Sequence, residues 1–164
     1  WEDVVTGRAA IEPLLSGALN EIGSPVPART FLDHWFTTDF VVDEAAVAVA
    51  RRWTERGIPI VLATNQEHER AAHLERELAE LLPLSGIVHS AALGVTKDDP
   101  AFYARARRHL GIADDTIVVF VDDTIDNVRT AASAGWRAVH RVQGDDAWIA
   151  DVSELLDEAT RSRR

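Results

Sequence analysis

The chain has 164 residues, 46% of them hydrophobic, which is enough for one globular domain with a buried core. Its 27 acidic and 17 basic residues give a formal net charge of −10 at pH 7, which disfavours nucleic acid or an anionic membrane surface as a partner. It contains no cysteine, so disulfides, thiolate metal sites and a cysteine nucleophile are excluded.

The sequence shows no targeting or membrane segment. It has no apolar run of about 18 residues, so no membrane span is predicted. Because no stretch has the pattern of a signal peptide either, we expect a cytoplasmic protein. The chain begins at Trp1 and contains no methionine, and we therefore expect a fragment, a processed product or a shortened form of a longer sequence.

The first forty residues predict helices joined by turns. Apolar residues recur at three- and four-residue steps from Val4 to Ile22, as in a pair of amphipathic helices. Glycine and prolines in segment 23–27 end this pattern. A further helix follows with an aromatic side, on which Trp35 is a candidate to line a substrate cavity, although the tryptophans are expected chiefly to pack.

From Asp43 onward, helix and strand patterns alternate. Asp43 can cap a helix that ends at Gly57. Strands are predicted at 58–63, 86–89, 116–121 and 136–142, and helices at 66–82, 100–110, 125–134 and over the last twenty residues, which have a basic end. This alternation predicts a mostly parallel sheet between layers of helices. In such sheets ligands bind beyond the carboxyl ends of the strands.

Asp122 and Asp123 follow the strongest of these strand patterns. Adjacent carboxylates repel each other, and burial adds to the cost of their charge. A divalent ion such as Mg²⁺ reverses that cost because it prefers carboxylate oxygens, waters and phosphate as ligands. Alternatively, Asp123 could cap the following helix, as Thr124 could.

Two further candidates lie in loops. Lys97 is the only lysine among 17 basic residues, which suggests a need for a compact point charge, although chance or coding bias would also leave one lysine. Thr64 follows the strand at 58–63 and could donate to a phosphoryl oxygen, with Asn65 beside it. The same two residues could instead cap the next helix.

Other catalytic patterns are missing from the sequence. It has no serine nucleophile elbow, phosphate-binding P-loop or dinucleotide-binding glycine motif. The six histidines are scattered. His68 and His73 are five residues apart and do not share a helix face well enough for a zinc pair.

In order and spacing, residues 43–142 resemble the haloacid dehalogenase-like (HAD) hydrolase superfamily. Segment 61–65 is similar to the second family motif, a strand ending in Thr or Ser. Segment 90–103 resembles the lysine-bearing third motif, and segment 119–128 the fourth. The paired aspartates are closest to the phosphatase subgroup that includes the N-terminal domain of soluble epoxide hydrolases.

The resemblance implies a Rossmann-like three-layer α/β fold with a parallel sheet. Residues 1–42 would form part of a helical cap, and residues 43–164 the core. The first family motif, Asp-x-Asp on the opening strand, supplies the nucleophile and the general acid/base, and nothing in this chain matches it. In the family that strand lies between the strands ending here at Thr64 and Asp122. We therefore expect the first, central strand to be missing.

The resemblance also implies roles around a phosphoryl group. Thr64 would donate to the transferring group, and Asn65 would support that loop. Lys97 would neutralise charge between the phosphoryl group and the nucleophile. Asp98 stands where the family usually has proline, a departure that would affect the same loop.

For the metal, the resemblance implies that Asp123 ligates Mg²⁺, with Asp122 close by as a ligand or as support. Asn127 stands where many relatives have a further aspartate, and it is a third candidate for the metal site.

The implied activity is that of a Mg²⁺-dependent phosphatase of a small phosphorylated metabolite, with an aspartyl-phosphate intermediate and a nucleophile upstream of this chain. One alternative is a carbon–halogen hydrolase of the same fold, which needs no metal. Another is a catalytically inactive HAD-like binding module. Neither nucleic acid nor membrane is a predicted partner, and the oligomeric state is left open.

Overall fold

A computed structural model describes residues 1–161. The chain divides into two compact units, Trp1–Gly94 (unit one) and Val95–Arg164 (unit two). The basic end predicted for the last helix includes residues 162–164, which lie outside the described residues. The boundary expected between a cap at 1–42 and a core at 43–164 stays a prediction.

Unit one contains short helices followed by alternating helices and strands. Its elements are α1 (Glu2–Val5), α2 (Ile11–Glu21), α3 (Ala28–Thr38), α4 (Glu44–Glu55), β1 (Val61–Thr64), α5 (His68–Ala79), β2 (Gly86–His89) and α6 (Ser90–Leu93). As predicted, Asp43 caps α4, its carboxylate accepting from the Ala46 backbone N–H at 2.9 Å.

Unit two continues the alternation. Its elements are α7 (Pro100–His109), β3 (Val119–Asp122), α8 (Ile125–Ser133), β4 (Arg137–His140) and α9 (Ala147–Arg161). Helix α7 begins after Asp99, which accepts from the Ala101 N–H at 2.8 Å. Pro100 occupies the first turn, where its missing N–H removes no helical hydrogen bond.

The strands form two parallel pairs. In unit one β1 pairs with β2, with Thr64 opposite His89. In unit two β3 pairs with β4, with Asp122 opposite His140. The parallel α/β fold class is thus confirmed. Among residues 1–161 each sheet has two strands.

Strands β1 and β3 each begin three residues later than the apolar runs that predicted them. Hydrogen bonding nevertheless starts just before them, since the Ile60 and Val118 carbonyls accept from Ser85 and Arg137 at 2.7 and 2.9 Å. The apolar runs include the residues that lead into each strand.

The first helices of unit one enclose a small apolar core. Val4, Ile11, Leu32 and Phe36 are buried together, and Trp35 packs against them. The Trp35 and Phe36 ring centroids are 5.4 Å apart. Trp35 thus has the packing role expected of the tryptophans, and its part in a substrate cavity stays a prediction.

A buried arginine joins α3 to α5. The Arg70 guanidinium donates to the backbone carbonyls of Phe36 and Asp39, and its carbon lies 5.3 Å from the centroid of the Phe36 ring. These contacts satisfy a side chain that is only 6% exposed. The end of α3 is therefore held to the helix that follows β1.

The core of unit two is aromatic. Tyr103 on α7 is fully buried and meets the rings of Phe102, Phe120 and Trp136 with centroids 5.1 to 5.5 Å apart. Edge-to-face contacts of this kind add to the stability gained by burying the rings. They anchor α7 against β3 and the residue that precedes β4.

Among residues 1–161, none of the helices has the length and apolarity needed to cross a membrane.

Gly7 provides a test of the close contact between the N-terminal segment and α6. Its φ is +74°, and a Cβ there would lie 2.4 Å from the Ala91 carbonyl oxygen. We expect Gly7→Ala to lower the free energy of unfolding by about 2 kcal/mol or more, because it combines backbone strain with a clash. Chemical denaturation measures this change.

Two other glycines of unit one serve as controls. Gly23 has φ +66° and no atom within 4 Å of the place that a Cβ would take, and Gly17 in α2 is equally open. Gly23→Ala should cost about 1 kcal/mol for the backbone alone, while Gly17→Ala should stabilise the helix by up to about 1 kcal/mol. A Gly7→Ala cost no larger than that of Gly23→Ala would contradict the close approach.

Candidate functional site

The site in unit two is built around the carboxylate of Asp122, the last residue of β3. Its Oδ2 accepts a hydrogen bond from Lys97 Nζ at 2.6 Å. Its Oδ1 accepts from the Thr124 backbone N–H at 2.9 Å and from Asn127 Nδ2 at 3.0 Å. The structure thus brings together three of the predicted residues, Lys97, Asp122 and Asn127.

Local structure explains how these groups meet. The apolar strand β3 ends at Asp122, and α8 begins three residues later, so the turn between them directs the Thr124 N–H toward the carboxylate. Asn127 lies in the first turn of α8 and Lys97 in the loop before α7. The donors therefore come from the loop before α7, the turn after β3 and the first turn of α8.

The pKa of Asp122 is lowered although the residue is buried. Burial by itself raises the pKa, since it disfavours the charged form. Hydrogen bonds from Lys97 and Asn127, the positive charge of Lys97 and the Thr124 N–H together outweigh burial. Asp122 is therefore ionised at neutral pH, in an ion pair whose side chains are 13% exposed on Lys97 and 4% on Asp122.

Asp123 lies next to this cluster but is exposed. Asp122 ends β3, whereas Asp123 lies in the turn that follows the strand. The Asp123 backbone carbonyl lies 3.0 Å from His140 Nε2, and its Oδ1 lies 3.5 Å from Thr124 Oγ1. The two adjacent aspartates thus have different environments.

Thr64 and Asn65 are in unit one, at the carboxyl end of β1, and both are half-buried. The loop after them is attached to the start of α6. The Gln66 carbonyl accepts from the Ala91 N–H and from Ser90 Oγ, each at 3.2 Å. Both predicted residues therefore lie at a strand end, and the loop that follows them is held by hydrogen bonds.

Unit one also contains a histidine contact that the sequence did not suggest. His68 Nδ1 and His89 Nε2 are 3.1 Å apart, and their rings meet edge to face. His68 opens α5 and His89 ends β2, so the residues are 21 positions apart. Helix spacing compares His68 with His73, which lies on the same helix. It cannot predict a contact between His68 and a residue of β2.

Tyr103 is the other residue that sequence reasoning missed. Its hydroxyl oxygen lies 2.8 Å from the carbonyl oxygens of both Lys97 and Asn127. Burial raises the pKa of the phenol, and the negative charges of Asp122 and Asp98 raise it further. The hydroxyl therefore stays protonated and acts as a donor. Its one sequence signal is that Tyr103 is the single tyrosine.

Among the predicted metal residues, Asp123 has the carboxylate that fits a Mg²⁺ ion of the kind bound through few protein ligands. Within residues 1–161 no three His, Asp or Glu side chains gather as a metal cluster. However, Mg²⁺ is usually held by one or two carboxylates with waters and substrate phosphate. Asp123 offers an exposed carboxylate. Both oxygens of Asp122 already accept hydrogen bonds, Oδ1 from the Asn127 amide and Oδ2 from Lys97.

The sequence matches the family model described as haloacid dehalogenase-like hydrolase over residues 15–135. No curated protein matches it. The match includes β1, the Lys97 loop and the whole Asp122 cluster.

Solved structures have a similar fold. One is a HAD family enzyme from Bacteroides thetaiotaomicron, an aspartate-to-alanine mutant in complex with magnesium and inorganic phosphate. It has a TM-score of 0.70 and 16% identity, over 88% of this chain and 76% of that one. Another, from Porphyromonas gingivalis, is described as a predicted HAD-like family hydrolase. It has a TM-score of 0.68 and 20% identity, over 94% and 77% of the two chains.

The energy of the Lys97–Asp122 pair can be measured by a double-mutant cycle. Lys97→Met and Asp122→Asn each leave a buried charged partner behind, and each should lower the free energy of unfolding by about 3 kcal/mol. The double variant should lose clearly less than the sum, because the second substitution removes an interaction that the first has already broken. Denaturant unfolding of the four proteins gives the coupling.

The exposed pair Arg129–Asp126 on α8 is the matched control. Its side chains are 73% and 76% exposed, with 3.2 Å between Arg129 Nη1 and Asp126 Oδ1. Its coupling should be about 0.5 kcal/mol or less. Equal coupling in the two cycles would mean that burial does not strengthen the Lys97–Asp122 pair.

Proposed function

Because the chain belongs to the haloacid dehalogenase-like hydrolase family, we propose that it forms part of a Mg²⁺-dependent phosphatase that acts on a small phosphorylated metabolite. The observation that carries the proposal is the buried Lys97–Asp122 ion pair next to the exposed carboxylate of Asp123. Enzymes of phosphoryl transfer place a positively charged side chain and a carboxylate-held metal ion at the phosphoryl group. In parallel α/β folds such ligands bind beyond the carboxyl ends of the strands.

The chemistry assigned to these side chains is electrostatic. A transferring phosphoryl group carries negative charge on its three equatorial oxygens, and fixed positive groups lower the barrier by stabilising it. Lys97 supplies a fixed ammonium, oriented by Asp122. Asp123 would hold Mg²⁺, with Asp122 and Asn127 supporting the same turn, and the bound ion would neutralise further phosphoryl charge.

Thr64 and Asn65 are assigned the roles expected from the second motif. The Thr64 hydroxyl would donate to a phosphoryl oxygen, and Asn65 would support its loop. Their place at the carboxyl end of β1 supports these roles, since ligands of parallel α/β folds bind beyond such ends.

The attacking carboxylate is proposed to come from an Asp-x-Asp segment outside these 164 residues. Its oxygen would form a bond to phosphorus while the bond from phosphorus to the leaving alcohol oxygen breaks. Water would then attack the aspartyl phosphate, releasing inorganic phosphate and restoring the carboxylate. The two separate two-stranded sheets support this view, because β1 and β3 each have one strand partner among residues 1–161.

The magnesium and phosphate bound to the Bacteroides thetaiotaomicron enzyme support the same ligands here. The net charge of −10 makes a small substrate a better fit than nucleic acid. Residues 1–42 are proposed as the part of the cap that selects the substrate. A cytoplasmic location stays a prediction.

Hydrolysis of p-nitrophenyl phosphate tests the proposal. The protein assayed should include the region that precedes Trp1, with and without millimolar Mg²⁺. We expect hydrolysis that depends on Mg²⁺, and Asp123→Ala should lower kcat/KM by about 100-fold or more, because charge stabilisation in the transition state is lost.

Asp126→Ala is the control for that experiment, since Asp126 is an exposed aspartate three residues further on, in the first turn of α8, and pairs with Arg129. Its kcat/KM should stay within about twofold of the parent value, as is usual for surface substitutions. Unchanged activity in Asp123→Ala, or activity independent of Mg²⁺, would show that the metal assignment is wrong.

A second candidate function is a catalytically inactive binding module. It is favoured by one observation, that these 164 residues contain no Asp-x-Asp motif after an apolar strand. An upstream strand with that motif would support the enzyme, and its absence from the gene would support the module. A carbon–halogen hydrolase is less well supported, because it has no use for the exposed carboxylate of Asp123.

A further inference from the structure

The Tyr103 hydroxyl is placed between the two segments that hold Asp122. It lies 2.8 Å from the Lys97 carbonyl oxygen in the loop before α7, and 2.8 Å from the Asn127 carbonyl oxygen in the first turn of α8. A phenol has one proton to donate. Two carbonyls at equal distance therefore share this donor, in a pocket where the tyrosine is fully buried.

These contacts close a ring with the ion pair. The side chain of Lys97 donates to Asp122 Oδ2, and the side chain of Asn127 donates to Asp122 Oδ1. Their backbone carbonyls meet at the Tyr103 hydroxyl. The same two residues are thus held twice, at the backbone by Tyr103 and at the side chain by Asp122.

We propose that Tyr103 is a positioning residue, whose hydroxyl holds the backbones of Lys97 and Asn127 so that the ammonium of Lys97 stays fixed toward Asp122. This inference rests on the proposed function for its catalytic consequence, but the coupling itself does not depend on activity. A phenylalanine at position 103 would make the same ring contacts as Tyr103. Aromatic packing therefore does not account for the hydroxyl, and the proposed positioning role does.

The aromatic neighbours of Tyr103 restrict the position of its hydroxyl. The Tyr103 ring packs edge to face on Phe120 of β3 and on Trp136, with centroids 5.5 and 5.1 Å away. These rings fix the direction of the phenol axis, so the oxygen has little freedom to leave the two carbonyls. A small displacement of a catalytic group can cost a large factor in rate.

Tyr103→Phe tests the role of the hydroxyl while keeping the ring. In the protein that includes the region before Trp1, with p-nitrophenyl phosphate and Mg²⁺, kcat should fall about tenfold while KM stays within about twofold. This split is expected when an interaction that matters mainly in the transition state is weakened.

Val152→Ala is the control for a packing defect. It removes buried side-chain volume from α9 of unit two but changes neither Tyr103 nor any ring that packs on it, so its kcat should stay within about twofold of the parent value. Both variants are assayed well below their unfolding temperatures. An unchanged kcat in Tyr103→Phe, or an equal loss in both variants, would overturn the inference.

If Tyr103→Phe does not fold, or if no phosphatase activity is found, a spectroscopic measurement tests the coupling between Tyr103 and Asn127. Tyr103 is the single tyrosine of these 164 residues, so 3-fluorotyrosine labels them at one site, and the resonance of that site is followed. Asn127→Ala should move that resonance, because it removes the Asn127 contact with Asp122 and loosens the carbonyl that the hydroxyl touches.

Arg129→Ala, an exposed change two residues along α8, should leave the resonance in place. A resonance unmoved by Asn127→Ala would overturn the coupling. If the parent protein shows no hydrolysis but the resonance moves in Asn127→Ala alone, the proposed phosphatase fails while the coupling through Tyr103 holds.

Discussion

A carboxylate buried to the extent of Asp122 can keep its charge only if donors replace the water that it has lost. Here the replacement is complete on both oxygens, by an ammonium on one and by a backbone N–H and a side-chain amide on the other. Because the donors come from the Lys97 loop, the turn after β3 and the start of α8, this one charge sets the positions of three segments.

The same constraint separates the roles of the two adjacent aspartates. Asp122 is committed to holding Lys97 and Asn127, whereas Asp123 faces solvent and can meet a cation. Carboxylates with equal exposure would repel each other and compete for the same ion. Because Asp122 is buried and paired while Asp123 is exposed, two adjacent negative charges are tolerated at the end of β3. The carboxylate of Asp123 stays accessible.

Local patterns in the sequence were sufficient for most of the elements and for their order. The Asp43 cap, the four strands and the helices α5, α7 and α8 follow from apolar runs and helix-end signals that act over a few residues, whereas the four-residue helix α6 was not predicted. The exact start of β1 and β3 did not follow, because an apolar run continues into the residues that lead up to a strand. The part played by the loop residues Thr64 and Asn65 stays a prediction.

The sequence by itself determined the parallel α/β class and the residue types at the strand ends, because both depend on neighbours close along the chain. It also determined the family resemblance, through the order and spacing of three short motifs. Only the tertiary structure decided that Lys97 pairs with Asp122, 25 residues away, and that the Tyr103 hydroxyl meets Asn127, 24 residues away. Hydrogen bonds depend on distances of tenths of an ångström. Those distances exist only after α7, β3 and α8 have packed around their aromatic core.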